Sequence, residues 1–209
     1  MSSGANLNRQ TSLLDNLVAK WWNWWHTIPV DKAVNWPAPT HGCLVGSGGD
    51  ITSGESVVFL GNPSFANDNN ENRTNQSCQI LTNQAIFFPL YNSVCDTSMP
   101  KFRVVNYEGM LECAKNANSG VVVSARIDGK DVSNDKVEHY TEKTFELAYP
   151  EQNPYLDPPG NYTAVGGGFY LFLKPFTTEG GHDVEYNYHR NDESGSVRYK
   201  IHVMNPKSK

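Results

Sequence analysis

Long hydrophobic runs are missing from this sequence. No stretch approaches the roughly 20 apolar residues that a membrane-spanning helix needs. Basic runs are missing as well: 17 Lys and Arg stand against 22 Asp and Glu, for a formal net charge of −5. Nucleic acid and anionic membrane surfaces are held through basic patches, so neither is expected as a partner. Metal and nucleotide motifs are also absent. The cysteines form no C-x-x-C pair, and the histidines form neither H-x-H nor H-E-x-x-H. There is no G-x-S-x-G. The stretch Gly46-Ser-Gly-Gly49 lacks the strand-to-helix context of a nucleophile elbow and the G-K-[ST] of a phosphate loop. Charged residues are only 19% and hydrophobic residues 38%. Both values are low for a cytosolic enzyme and ordinary for a secreted β protein.

Aromatic residues, at 11%, supply the large buried areas that such a composition needs. The length of 209 residues suits one domain with a sizeable core. Cys43, Cys78, Cys95 and Cys113 are even in number and widely spaced, which reads as two disulfides in an oxidising compartment. Three pairings are open. Cys43–Cys78 with Cys95–Cys113, which close successive loops, is the preferred one. Asn72, Asn75 and Asn161 each begin an N-x-S/T triplet, the acceptor pattern for glycosylation in exported chains. The polar start, Met1 to Asn6, has no apolar core of a signal peptide, so export implies a leader absent from this sequence.

Residues 1–10 are polar and read as a loose arm. Residues 11–30 read as a Trp-rich amphipathic helix packed on the rest: Leu14, Leu17, Val18, Trp21, Trp25 and Ile28 recur at three and four. Ser12 is the expected N-cap, with Asp15 completing an imperfect capping box, and Pro29 is the stop. Trp22 and Trp24 fall off the stripe. Residues 31–55 read as loop. Strands are expected at Val57–Leu60, Gln84–Tyr91, Phe102–Val105, Gly120–Ile127, Thr144–Ala148, Ala164–Pro175, His182–Tyr188 and Val197–Val203, with a short helix around Met110, Leu111 and Cys113. Asp128-Gly129 reads as a tight hairpin turn, 149–163 as a Pro-rich loop, and Gly166-Gly-Gly168 as a bulge or close backbone approach. The last two strands read as an antiparallel pair joined across 190–195. The sum is a mainly β chain: an antiparallel β-sandwich of jelly-roll or immunoglobulin-like type over 31–209, with one N-terminal helix.

These blocks resemble a group of uncharacterised secreted proteins of bacteria and archaea. The shared features are Trp21-Trp-Asn-Trp-Trp25 with Ile28-Pro29, Gly42-Cys43, Val57-Val-Phe-Leu-Gly61 and Cys78. They continue with Ala85-Ile-Phe-Phe-Pro89, Ile127-Asp-Gly129, Gly168-Phe-Tyr-Leu171, Lys174-Pro175, Gly181-His182-Asp-Val184 and Tyr199-Lys-Ile-His-Val203. The resemblance implies export, a Cys43–Cys78 disulfide, and final strands like those of immunoglobulin-like bacterial surface modules. The chain departs from the pattern between 46 and 56, where Gly and Ser dominate.

Four groups of side chains are candidates for function. Trp22 and Trp24 could stack on sugar rings, or they could be core. Asp183, Glu185 and His189 share one face of a strand at period two, which reads first as a solvated face and second as a cation or sugar site. Asp128 and Asp131 are weak calcium candidates within a hairpin turn; no other cofactor is expected. His182 reads as a structural histidine bonded to a neighbouring carbonyl. The expected function is an exported, non-catalytic binding or cell-surface module, with a polysaccharide or cell-surface component as its partner. The alternatives are a secreted hydrolase and a subunit of an extracellular surface assembly. Whether Trp22 and Trp24 are buried separates a structural plug from a binding surface.

Overall fold

The computed structural model describes residues 3–28, 45–51, 55–61, 76–102, 105–155, 157–191 and 193–206. The chain is mainly β, with two sheets and two α-helices among the described residues, α1 (Ser3–His26) and α2 (Tyr107–Ala117). The strands are β1 (Val45–Ile51), β2 (Glu55–Leu60), β3 (Gln76–Leu81), β4 (Gln84–Asp96), β5 (Val122–Ile127), β6 (Lys130–Asp131), β7 (Val137–Tyr140), β8 (Phe145–Tyr149), β9 (Gly160–Leu173), β10 (Gly180–Arg190) and β11 (Glu193–Met204). None of the helices described is long and apolar enough to cross a membrane. The contacts divide the chain into two compact units. One comprises 1–30, 92–119 and 138–168, and the other 31–91, 120–137 and 169–209. The helix therefore shares a unit with two central segments, rather than lying on a separate 31–209 domain.

The larger unit holds the sheet β3-β11-β10-β5-β6 and the strands β1-β2-β4 with the end of β9. Alternation decides which side chains point inward. On β11, Val197, Tyr199, Ile201 and Val203 are buried, whereas Lys200 and His202 are exposed. Val58, Leu60, Ile86 and Phe88 from one sheet meet Val184, Tyr186 and the β11 residues from the other in a single core. Two pairings depart from the antiparallel expectation: β2 with β4, and β11 with β3, are parallel. The reason is connectivity. Between β2 and β4 the chain crosses to the opposite sheet as β3, so β4 re-enters beside β2 in the same direction. The β5–β6 turn is as the sequence predicts. Asp128 and Gly129 both have positive φ, 50° and 76°, the geometry of a type I′ turn. The β10–β11 hairpin is tighter than expected, pairing up to Arg190↔Glu193 with Asn191 at φ 52°.

The smaller unit is built on α1, α2, β7, β8 and parts of β4 and β9. Strand β9 already begins at Gly160, inside the segment expected as loop, where it pairs with β8 from Phe145↔Ala164 to Tyr149↔Gly160. Asn106 caps α2 by accepting from the Gly109 amide at 3.1 Å. A Cys95–Cys113 disulfide staples α2 to β4, over a core of Phe102, Met110, Ala114 and Val165. Cys78 is disulfide-bonded too; its expected partner, Cys43, lies outside the described residues. Reduction should raise the intact mass by roughly four hydrogens if both bridges form in the isolated protein. A rise of about two would mean that only one does.

Helix α1 begins at Ser3, so the segment expected as a loose arm is helical from that residue. Ser12 is consequently an interior residue, not the cap. Leu14, Leu17, Val18, Trp21, Trp25 and Ile28 are all buried, as the stripe predicts. Trp22 is buried as well, at 2% exposure. Gly166 of β9 makes room for it: a Cβ there would lie 2.9 Å from Trp22 Nε1 and 3.3 Å from Val18 Cγ1. Within the Gly166–Gly168 run, Gly166 is thus a close approach to the helix and Gly167 one to β7.

Candidate functional site

Among the described residues, a cavity of about 460 Å³ opens within the smaller unit beside α1. That volume lies in the range of small-ligand sites, ~300–1,000 Å³. Its helix wall is Ser12, Asp15, Asn16 and Ala19, which the three- and four-residue spacing puts on one face. Its other wall is Thr141–Phe145, the link from β7 to β8.

Asp15 is fixed in this wall. Its Oδ1 accepts from His139 Nε2 at 2.7 Å. The Glu142 amide donates to both carboxylate oxygens, at 3.1 and 3.3 Å. The facing loop is fixed too. The Thr141 amide donates to the Gly166 carbonyl at 2.9 Å, and its Oγ1 accepts from the Gly166 amide at 3.4 Å. The Tyr107 hydroxyl donates to the Thr141 carbonyl at 3.1 Å. Burial, then the charges of Asp15, Glu142 and Glu108, push the Tyr107 phenol above its ordinary range, so it stays a hydrogen-bond donor.

One turn further along α1, Asn23 treats β8 as a neighbouring strand would. Its Nδ2 donates to the Glu146 carbonyl at 2.8 Å, and its Oδ1 accepts from the Ala148 amide at 3.1 Å. Thr144, just before β8, lines the cavity between the Asp15 wall and Phe145. The cavity therefore combines carboxylates, an amide, hydroxyls and one ammonium, Lys143, with the ring of Phe145. That set suits hydrogen bonding to several hydroxyls and stacking on an apolar ring face.

The residues singled out from the sequence lie elsewhere. Trp22, proposed as a sugar platform, is core: its ring is closed in by Val18, Gly166 and the edge-on Trp21. Trp24 is half-buried, with ring centroids 6.2 Å from both Trp21 and Trp25. Asp183 and Glu185 both reach Arg198 on the adjacent strand, at 3.0 and 3.2 Å. His189 is exposed and pairs in register with Ser194. This is the arrangement of a solvated face with cross-strand charge pairs.

Asp128 accepts from His182 Nδ1 at 2.8 Å and from the Asp183 amide at 2.9 Å. His182 thus bonds a carboxylate where a backbone carbonyl was expected. That hydrogen bond holds the Asp128 carboxyl below its ordinary range, against a smaller opposing effect of burial. Asp131 accepts from the Ser133 amide at 2.7 Å. With Asp128 and Asp131 turned to these partners, no group of three His, Cys, Asp or Glu among the described residues is placed to hold a metal ion. Asn161 is exposed on β9; Asn72 and Asn75 lie outside the described residues.

Sequence reasoning missed Asp15 as a site residue. An acid three residues after a serine looks like a capping box, and its partner His139 stands 124 residues away. Compared with known proteins, the chain matches no family model, and no curated protein matches it.

Proposed function

We propose that this protein is an exported, non-catalytic binding module, and that the cavity beside α1 takes a hydroxyl-rich ligand such as a unit of a polysaccharide. The observation that carries this reading is the preset Asp15 wall. The carboxylate is already oriented by His139 and the Glu142 amide, so little ordering cost remains for a ligand to meet. Asp15 Oδ2, the Asn16 amide and the Thr144 hydroxyl supply hydrogen bonds, and Phe145 supplies a ring face. Asp15 and His139 are bonded to each other, an orienting pair with no nucleophile between them, which favours binding over hydrolysis. The disulfide-bonded cysteines favour an extracytoplasmic setting. Two sheets enclosing one core favour a β-sandwich of jelly-roll or immunoglobulin-like type.

A panel of immobilised polysaccharides tests the reading. The protein is expected to be retained on at least one neutral or amino-sugar polymer. Asn16→Ala and Phe145→Ala should each weaken retention about tenfold, the effect of one lost hydrogen bond or ring contact of about 1.4 kcal/mol. Retention on no polymer, or equal retention of both variants, would remove the support for this site.

A further inference from the structure

The binding reading leaves the aromatic cluster at the end of α1 without a use, and it leaves a buried carboxylate beside it. Asp96, at the end of β4, is 1% exposed. Its Oδ2 accepts from the Tyr149 hydroxyl at 2.6 Å, and its Oδ1 accepts from the Ser98 amide at 2.7 Å. Among the described residues no Lys or Arg forms a salt bridge with it. A buried carboxylate without a cation is costly to fold around. Here it is placed as the base for one phenol.

The rings run continuously from that phenol to two half-buried positions. Trp24 lies 6.2 Å from Trp25 and from Trp21, and Trp21 stacks on Trp25 at 5.5 Å. Trp25 Nε1 donates to the Tyr155 hydroxyl at 3.0 Å. The His26 ring lies 5.1 Å from Tyr155 and stacks on Tyr149 at 4.4 Å. Tyr162, half-buried, is 5.0 Å from Tyr149. All of these residues belong to the smaller unit.

We propose that this cluster is a one-electron relay that ends on Tyr149. A strong one-electron oxidant at Trp24 takes one electron from its indole. Electrons then move outward through Trp25 and the Tyr155–His26 contact, and Tyr149 supplies the last of them. As Tyr149 loses its electron, its phenolic proton passes along the existing hydrogen bond to Asp96. The products are the reduced oxidant, a neutral Tyr149 phenoxyl radical and a neutral Asp96 carboxylic acid. The hole comes to rest there because the proton shift removes the buried charge, whereas a hole left on an indole would add one. A one-electron reductant such as a thiolate, delivered at Tyr162, refills Tyr149, and Asp96 returns the proton.

The test is flash oxidation of the full, disulfide-bonded chain by photogenerated tris(bipyridine)ruthenium(III), read by electron paramagnetic resonance. With ring-deuterated tyrosine, the trapped signal should narrow as a tyrosyl radical, and it should not change with deuterated tryptophan. Tyr149→Phe should lose this signal, and Asp96→Asn should move it to tryptophan. Trp25→Phe, which keeps a buried ring, should reduce the tyrosyl yield and leave the radical on Trp24. A radical that rests on tryptophan in the unsubstituted protein overturns the proposal. So does a tyrosyl signal that persists in folded Tyr149→Phe. The unsubstituted protein alone decides the first point, so a variant that fails to fold does not rescue the idea.

Discussion

Acidification from pH 6.5 to pH 4 should cost the fold about 3 kcal/mol through His26 alone. Its ring is fully buried, and burial pulls its pKa from 6.5 down to about 4, against smaller opposing effects of the Trp22 carbonyl and Asp96. The geometry agrees with a neutral ring. Nδ1 donates to the Trp22 carbonyl at 2.8 Å, while Nε2 is buried without a partner among the described residues, so none of them would accept an added proton there. The sign follows from proton counting. Below pH 6.5 the unfolded chain binds a proton that the folded chain refuses until about pH 4. Stability is therefore fully present above 6.5, falls across that window, and is flat below it for this group. Urea unfolding at a series of pH values measures the slope. In His26→Gln the slope should largely vanish; an unchanged slope would assign the acid sensitivity to other groups.

Gly167→Ala should destabilise the protein by about 3 kcal/mol, the upper end of the cost of overfilling a packed interior. A Cβ at this position would lie 2.1 Å from Tyr140 Cδ1 and 2.8 Å from the His139 carbonyl oxygen. Tyr140 could swing away, but His139 O is backbone and moves only with β7. The neighbouring Asn118 amide donates to the Gly167 carbonyl at 3.2 Å, so β9 is tethered from the α2 side as well. Displacing β7 also moves His139, hence Asp15. Ligand retention should fall together with stability, in contrast to Asn16→Ala, which should affect retention alone. Thermal unfolding is the readout, with a midpoint lower by about 10 °C. A variant within about 0.5 kcal/mol of the parent, the range of an ordinary surface change, would mean that the strand and its neighbours are not in contact as described.

Local chemistry was legible in the sequence wherever a residue's role is set by its near neighbours. The stripe from Leu14 to Ile28 named the buried side of α1, and Asp128-Gly129 named its turn. The Gly166–Gly168 run announced a close approach, though not that Trp22 would be the approaching ring. What stayed hidden depends on partners far along the chain. Trp22 lies off the stripe, yet it is buried because α1 is covered on more than one side. Asp15 looks like half of a cap until β7 brings His139 to it. The parallel neighbours of β4 and β11 leave no mark in either strand's alternation, because pattern fixes which face is inward and not which strand lies alongside. Asp183 and Glu185 meet Arg198 from the adjacent strand, a pairing that the period-two pattern of one strand does not announce.

The Asn23 contact with β8 has a consequence for how the molecule is made. Its bonds span 123 and 125 residues, and those of Asp15 and Trp25 span 124 and 130. Each such contact closes nearly the whole intervening chain before it returns any stabilisation, and folds dominated by distant pairings form slowly. A helix near the start of the chain is thus secured only after residues beyond 140 have emerged. Until then the four tryptophans of α1 lack the later segments that bury them. The Asn23 amide therefore closes the outer edge of β8 only at the end of folding.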